Sequence, residues 1–119
     1  YARSRIVLAS RASGIEPPID TVFIDLKDHK NLERSTERAL EFGFQGKLCI
    51  HPDQVALVND VFTPDEEEVA RAKKIIAAFK EAEEAGSASI QVDGYFVDYP
   101  IVEKAQRVLE LAKRIRAAG

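Results

Sequence analysis

The chain predicts an α/β fold on three observations. Two short segments rich in β-branched, aromatic and aliphatic residues, Thr21 to Leu26 and Lys47 to Ile50, each run into residues that end a strand. Asn31 to Phe42 lies between them, with Leu32, Ala39, Leu40 and Phe42 at helical spacing. After these come a long amphipathic segment, an Asp-Gly hairpin signal and a second amphipathic segment. The strand–helix–strand portion makes one βαβ unit, whose two strands are expected to be parallel and joined by a right-handed crossover.

The elements follow in order. Residues 2 to 13 suit a helix with a modest apolar face of Ile6, Val7 and Ala9, stopped by Gly14. Pro17-Pro18 forbids helix and favours an extended entry into the first strand. Asp25 and Asp28 fall at or just past the end of that strand. The helix from Asn31 closes at Gly43, and Phe44-Gln45-Gly46 returns the chain to the second strand. His51-Pro52 ends that strand, because proline removes a backbone donor and fixes φ. Both polar strand ends are then expected on one face, the carboxyl end of parallel strands, where binding groups collect in α/β folds. A short helix is expected over 53–60. Thr63-Pro64-Asp65-Glu66 gives a helix start, with Thr63 as cap and Pro64 at the first position. That helix runs to about Ala85 on a stripe of Val69, Ala72, Ile75, Ile76 and Phe79, its acidic first turn suited to the helix dipole. Ile90 and Val92, Asp93-Gly94, then Tyr95, Phe96 and Val97 predict the hairpin. Pro100 starts the last helix, with a stripe of Val102, Ala105, Val108, Leu109, Ala112 and Ile115.

The gross numbers exclude some classes. At 119 residues, 45% of them apolar, there is room for one ordinary core. A net charge of −3 argues against a general nucleic-acid surface. No apolar run approaches the roughly 20 residues of a membrane span. The single cysteine, Cys49, cannot form an internal disulfide, lies in an apolar strand as an inert thiol, and fits a reducing, cytoplasmic setting. The chain has no methionine and starts Tyr-Ala-Arg-Ser-Arg, inside a helical pattern. It is expected to be a piece of something longer.

Few residues are candidates for chemistry. His51, at a strand end, can bind a substrate oxygen or act as a base, or can simply satisfy local backbone groups. His29 is expected to be a solvated loop residue, and no histidine or cysteine stands at zinc spacing. Asp25 and Asp28 can help hold a hard cation, although Asp28 suits a helix cap better. Asp98 follows Phe96 and Val97 and precedes Tyr99-Pro100. A carboxylate among apolar groups suits acid/base work, and the same position suits an N-cap of the last helix. Glycine-rich phosphate loops are absent.

The ordered motifs Ile19-Asp20-Thr21-Val22-Phe23, Gly43 to Pro52 with Gln54, Val61-Phe62-Thr63-Pro64, and Asp93-Gly94 with Val97-Asp98-Tyr99-Pro100 resemble one family. They are similar to the C-terminal part of the citrate lyase β-subunit-like proteins of the HpcH/HpaI aldolase group, which includes citryl-, malyl- and citramalyl-CoA lyases. The resemblance implies a (β/α)₈ barrel. Residues 1–60 would carry its last two parallel strands, and 61–119 a helix–hairpin–helix extension. It implies a Mg²⁺-dependent lyase that cleaves or forms a carbon–carbon bond beside a CoA or acyl-carrier thioester. The metal ligands, a Glu and an Asp, would lie outside this chain, so the piece would be inactive alone. It further implies a homo-oligomer, a trimer or a multiple of one, in which Asp98 acts as the acid/base group in a neighbouring subunit's site. Ile50 and His51 would line the acyl-CoA pocket. Tyr95 departs from the family, where the residue after Asp-Gly is often basic. The competing expectation is a non-catalytic α/β module that binds an acyl-CoA or a protein partner.

Overall fold

A computed structural model describes all of residues 1–119. The chain is α/β and divides into two compact units, Tyr1–Phe62 and Thr63–Gly119.

The first unit contains α1 (Ala2–Ala12), β1 (Ile19–Asp20), α2 (His29–Phe42), β2 (Gly46–Lys47) and α3 (Pro52–Phe62). The two strands are parallel, with Ile19 opposite Gly46 and Asp20 opposite Lys47. Flanking bonds, Gln45 N–H to Pro18 C=O and Leu48 N–H to Asp20 C=O (both 3.0 Å), extend the ladder by one step at each end. The strands are therefore short and lie earlier than expected: β1 precedes the Thr21–Leu26 run altogether, and β2 shares only Lys47 with Lys47–Ile50. Thr21 to Asp25 and Leu48 to Ile50 lie outside the ladder. The physical reason lies in the side chains: Ile24 is 82% exposed, Leu48 55% and Ile50 53%, so no layer packs on them to hold a longer ladder. Cys49 is likewise half-buried beyond the strand and not a core thiol.

Helix α2 forms for local reasons that the sequence displays. Asp28 caps it, accepting from Asn31 N–H at 3.0 Å. Gly43 ends it at φ +96°, and a Cβ placed there would stand 3.1 Å from Val7 Cγ1. Positive φ and the close approach of α1 both select glycine. Leu32, Thr36 and Ala39 form its buried stripe, with Phe44 and Val58 completing the apolar interior of the unit. Helix α1 departs from its expected face: Ile6 is 52% exposed, while Ser10 is buried with its hydroxyl donating to Val7 C=O at 2.8 Å. His29 is exposed as expected, but it opens α2 and is not a loop residue.

The second unit contains α4 (Glu66–Glu84), β3 (Ile90–Val92), β4 (Tyr95–Val97) and α5 (Tyr99–Ala118). The start of α4 lies two residues later than expected. Asp65, not Thr63, is the cap, because Asp65 and Glu68 exchange side-chain bonds with each other's backbone N–H in a capping box. Asp93 and Gly94 take φ values of 51° and 82°, as a two-residue hairpin turn requires. Ala72, Ile75, Phe79, Val92, Val97, Val102 and Ala105 form a single core between the hairpin and the two helices. Phe79 and Tyr99 meet edge to face at 5.0 Å, and the Tyr99 hydroxyl donates to Glu83 at 3.1 Å.

Candidate functional site

In the first unit, the carboxyl ends of β1 and β2 are built around buried polar groups. Asp20 and Lys47, opposite one another in the ladder, form an ion pair of 2.7 Å, with side chains 5% and 2% exposed. The ammonium also donates to Ser35 Oγ of α2 at 3.2 Å, and the Arg3 guanidinium of α1 lies 3.9 Å from the other Asp20 oxygen. The pair ties both strands to both helices. It is invisible to a periodicity argument, since each charge sits at the edge of an apolar run. The only sequence signal is that the two charges have opposite sign and equivalent positions relative to the following segment.

One step further along, Gln54 of α3 is 2% exposed. Its side-chain carbonyl accepts from Ile50 N–H at 3.0 Å, and its amide donates to Phe23 C=O at 2.9 Å. The segments leaving both strands are thus joined through one side chain. His51 precedes Pro52 and is half-buried. Its Nδ1 accepts from Asp53 N–H at 3.3 Å and lies 3.5 Å from an Asp53 carboxylate oxygen. An accepting Nδ1 places the proton of the neutral ring on Nε2. One nitrogen of His51 therefore satisfies the backbone at the start of α3, and the other remains for a ligand. Ile50 presents its side chain to solvent beside it.

The two other acidic candidates of this unit are used locally. Asp25 accepts from Lys27 N–H at 3.0 Å, and both oxygens of Asp28 are taken by Asn31. Those bonds hold the Asp28 carboxyl below its ordinary value, the side-chain bond from Asn31 first and its backbone bond second. With Asp20 paired to Lys47, the carboxylates present do not fit a hard-cation site, and no three acidic, histidine or cysteine side chains converge. A cleft of about 730 Å³ between α1 and α2 is lined by Arg3, Arg34 and Arg38 against Glu37 and Glu41; it holds none of the residues singled out by sequence.

In the second unit, Asp98 occupies the N-cap position of α5 with extended φ −130° and ψ −176°, yet its side chain makes no capping hydrogen bond. Pro100, at the second helical position, has no N–H, which leaves only the third amide, Ile101 N–H, the position that Asp28 and Asp65 bond in α2 and α4; the Asp98 side chain does not take it. Asp98 is half-buried. Val97 beneath it is buried, whereas Phe96 and Tyr99 are 64% and 50% exposed, so the expected apolar enclosure is one-sided. Arg71 of α4 stands over the ring of Tyr95, its guanidinium carbon 5.1 Å from the centroid. No helix of the chain is long and apolar enough to cross a membrane.

Residues 1–52 match the model of the family described as HpcH/HpaI aldolase/citrate lyase. Among curated relatives, the citrate lyase subunit beta of Leuconostoc mesenteroides is 45% identical over 94% of this chain and 37% of its own length. The mitochondrial citramalyl-CoA lyase of Rattus norvegicus is 40% identical over 98% of the chain and 34% of its own. The L-malyl-CoA/beta-methylmalyl-CoA lyase of Cereibacter sphaeroides is 37% identical over 98% of the chain and 36% of its own. The chain thus spans little more than a third of the length of the relatives it matches. Among solved structures, CitE of Mycobacterium tuberculosis, in complex with magnesium, acetoacetate and coenzyme A, superposes with a TM-score of 0.77 at 31% identity, over 93% of this chain and 40% of that one. The first unit thus matches the HpcH/HpaI aldolase/citrate lyase model, and both units lie within the similarity to these lyases.

Proposed function

We propose that the chain is the C-terminal portion of a Mg²⁺-dependent lyase that cleaves or forms a carbon–carbon bond in a 3-hydroxyacyl-CoA thioester of the citryl-, malyl- or citramalyl-CoA type. The observation that carries this reading is the continuous similarity, over 94–98% of the chain, to three proteins named as lyases of that kind. On this reading β1 and β2 are the last two strands of a (β/α)₈ barrel, and the second unit is its C-terminal extension. Because no three acidic, histidine or cysteine side chains converge among these 119 residues, this reading assigns the metal ligands to residues outside them.

Cleavage of such a thioester removes the proton of the 3-hydroxyl and breaks the bond between the second and third carbons. The electron pair passes to the thioester as an enolate, which then takes a proton on carbon. Asp98 is assigned to move a proton at that carbon. Its carboxylate makes no capping bond and keeps both oxygens for the task. Ile50 and the Nε2 side of His51 are assigned to the acyl-CoA pocket. Asp98 would serve the site of a neighbouring subunit in a homotrimer or a multiple of one. The unpaired Cys49 fits a reducing, cytoplasmic compartment.

The test is turnover of a panel of 3-hydroxyacyl-CoA thioesters by the intact protein, with Mg²⁺ and with chelator, for wild type and Asp98→Asn. The reading expects Mg²⁺-dependent cleavage of at least one thioester. It also expects a loss of about 10²-fold or more in kcat for Asp98→Asn, the usual range for a lost acid/base group. Turnover that survives chelation, or an Asp98→Asn enzyme near wild type, would refute it.

A further inference from the structure

We propose that Gln54 is a positioning residue for the acyl-thioester pocket, pinning Ile50 and His51 from beneath; this rests on the lyase reading above. The ladder between β1 and β2 ends at the Leu48 N–H, so nothing in the sheet fixes the next residues. Ile50 nevertheless shows its side chain to solvent at 53% exposure, and its backbone needs another anchor. Gln54 is that anchor. Its carbonyl takes the Ile50 N–H at 3.0 Å, its amide gives to Phe23 C=O at 2.9 Å, and its own N–H gives to His51 C=O at 3.1 Å.

The residue type follows from the geometry. One end must accept and the other must donate, across a span between two strand ends and out of water. Methionine of similar length offers neither. An ionised glutamate offers two acceptors, one of them facing the Phe23 carbonyl. A protonated glutamic acid reproduces both bonds. Gln54 itself is 2% exposed and touches no ligand, so its effect passes through Ile50 and His51.

The experiment uses the intact protein and the thioester that wild type cleaves, with Gln54→Met and Gln54→Glu. Thermal melting, hydrogen exchange at the Ile50 amide, KM and kcat are read together. Gln54→Met is expected to speed exchange at Ile50 and raise KM about tenfold, with kcat within about threefold, since two part-buried backbone groups lose their partners. Gln54→Glu is expected to approach wild-type KM at about pH 5.5 and to resemble Gln54→Met at about pH 8, as its carboxyl ionises. A folded Gln54→Met with wild-type KM and wild-type Ile50 exchange overturns the proposal, as does a Gln54→Glu whose KM relative to wild type is the same at both pH values. Wild-type protein that binds no CoA thioester removes the lyase reading and this pocket role together, whereas wild-type binding with an indifferent Gln54→Met removes this assignment alone.

Discussion

Lys47→Met isolates the ion pair at the centre of the first unit. The substitution keeps the length and apolar stem of the side chain and deletes only the ammonium. It leaves the Asp20 carboxylate 5% exposed, facing a thioether where it faced a cation at 2.7 Å. Breaking one side of a buried pair costs about 3–5 kcal/mol, because the remaining charge is stranded. The Arg3 guanidinium at 3.9 Å is half-exposed and recovers about 0–1 kcal/mol of this. The Ser35 hydroxyl loses a donor but stays near solvent, adding little. A net loss of about 3 kcal/mol is the working figure. The assay is equilibrium urea unfolding followed by far-ultraviolet circular dichroism, since the chain has no tryptophan. The midpoint should fall with an unchanged slope, the mark of lost stability and not of an altered denatured state. The decisive comparison is Asp20→Leu/Lys47→Met, in which both charges are replaced by apolar groups. It should be more stable than Lys47→Met alone, giving a coupling of about 2 kcal/mol or more between sites that touch. A Lys47→Met loss under about 1 kcal/mol, or additive single and double changes, would mean the pair is hydrated and the burial argument fails.

Three further outcomes follow from other elements. Gly43→Ala should cost about 1–3 kcal/mol by urea unfolding, since alanine must hold φ +96° with Val7 pressing on its Cβ; a cost near zero would show that the α2 terminus shifts freely. The Tyr99 hydroxyl, donating to Glu83, is raised above its ordinary 10.0, chiefly by that bond, so the fold prefers its neutral form. Its contribution is present below pH 10.0 and is lost as pH rises through the folded value. Tyr99→Phe, which keeps the edge contact with Phe79, should therefore narrow the alkaline fall in melting temperature. Asp28 has the opposite sign: its lowered carboxyl stabilises the fold above pH 3.8 and loses that effect as pH falls toward its folded value. Asp28→Ala should melt lower at neutral pH and converge on wild type in acid; parallel curves would remove the capping assignment.

What the sequence displays well is local chemistry. The Asp28 cap, the Gly43 terminus and the Asp93-Gly94 turn depend on residues within four positions of each other, so residue type and spacing suffice. The parallel relation of the two strands also follows, from the helix between them. The extent of the strands does not. Ladder length depends on what packs on each face, and Ile24, Leu48 and Ile50 lie exposed at positions where an apolar run alone suggests a core. The helix start at Asp65 was hidden by competition, because Thr63 and Asp65 are both good caps and only the Glu68 bond decides between them. Asp20, Lys47 and Gln54 stand in the motifs that carry the resemblance, but their bonds do not follow from sequence, because the partners lie 27 and 31 residues away. Pairwise contact at that range has no periodic signature.

The accounting of polar valences separates scaffold from chemistry in each unit. A buried polar side chain costs free energy unless its polar atoms find partners within the fold, so partners found there mark a structural or positioning role. Asp20 with Lys47, and Gln54 with Ile50 and Phe23, have such partners, and no buried side-chain nitrogen or oxygen is left without one. Asp25 and Asp28 are spent on the chain's own N–H groups. Two candidates are different. His51 uses Nδ1 on the start of α3 and keeps Nε2, and Asp98 stands at a helix start whose second amide is a proline. A proline stands close to each: Pro52 follows His51 and opens α3, and Pro100 leaves the start of α5 without its second amide. Replacing Pro100 by alanine adds a second possible cap donor beside the Ile101 N–H. If the carboxylate then caps α5, Pro100→Ala should raise the melting temperature and lower kcat together, while Asp98→Asn lowers kcat in either background. A Pro100→Ala protein with unchanged kcat would show that Asp98 is not kept free by the proline, and that its place in the chemistry needs another explanation.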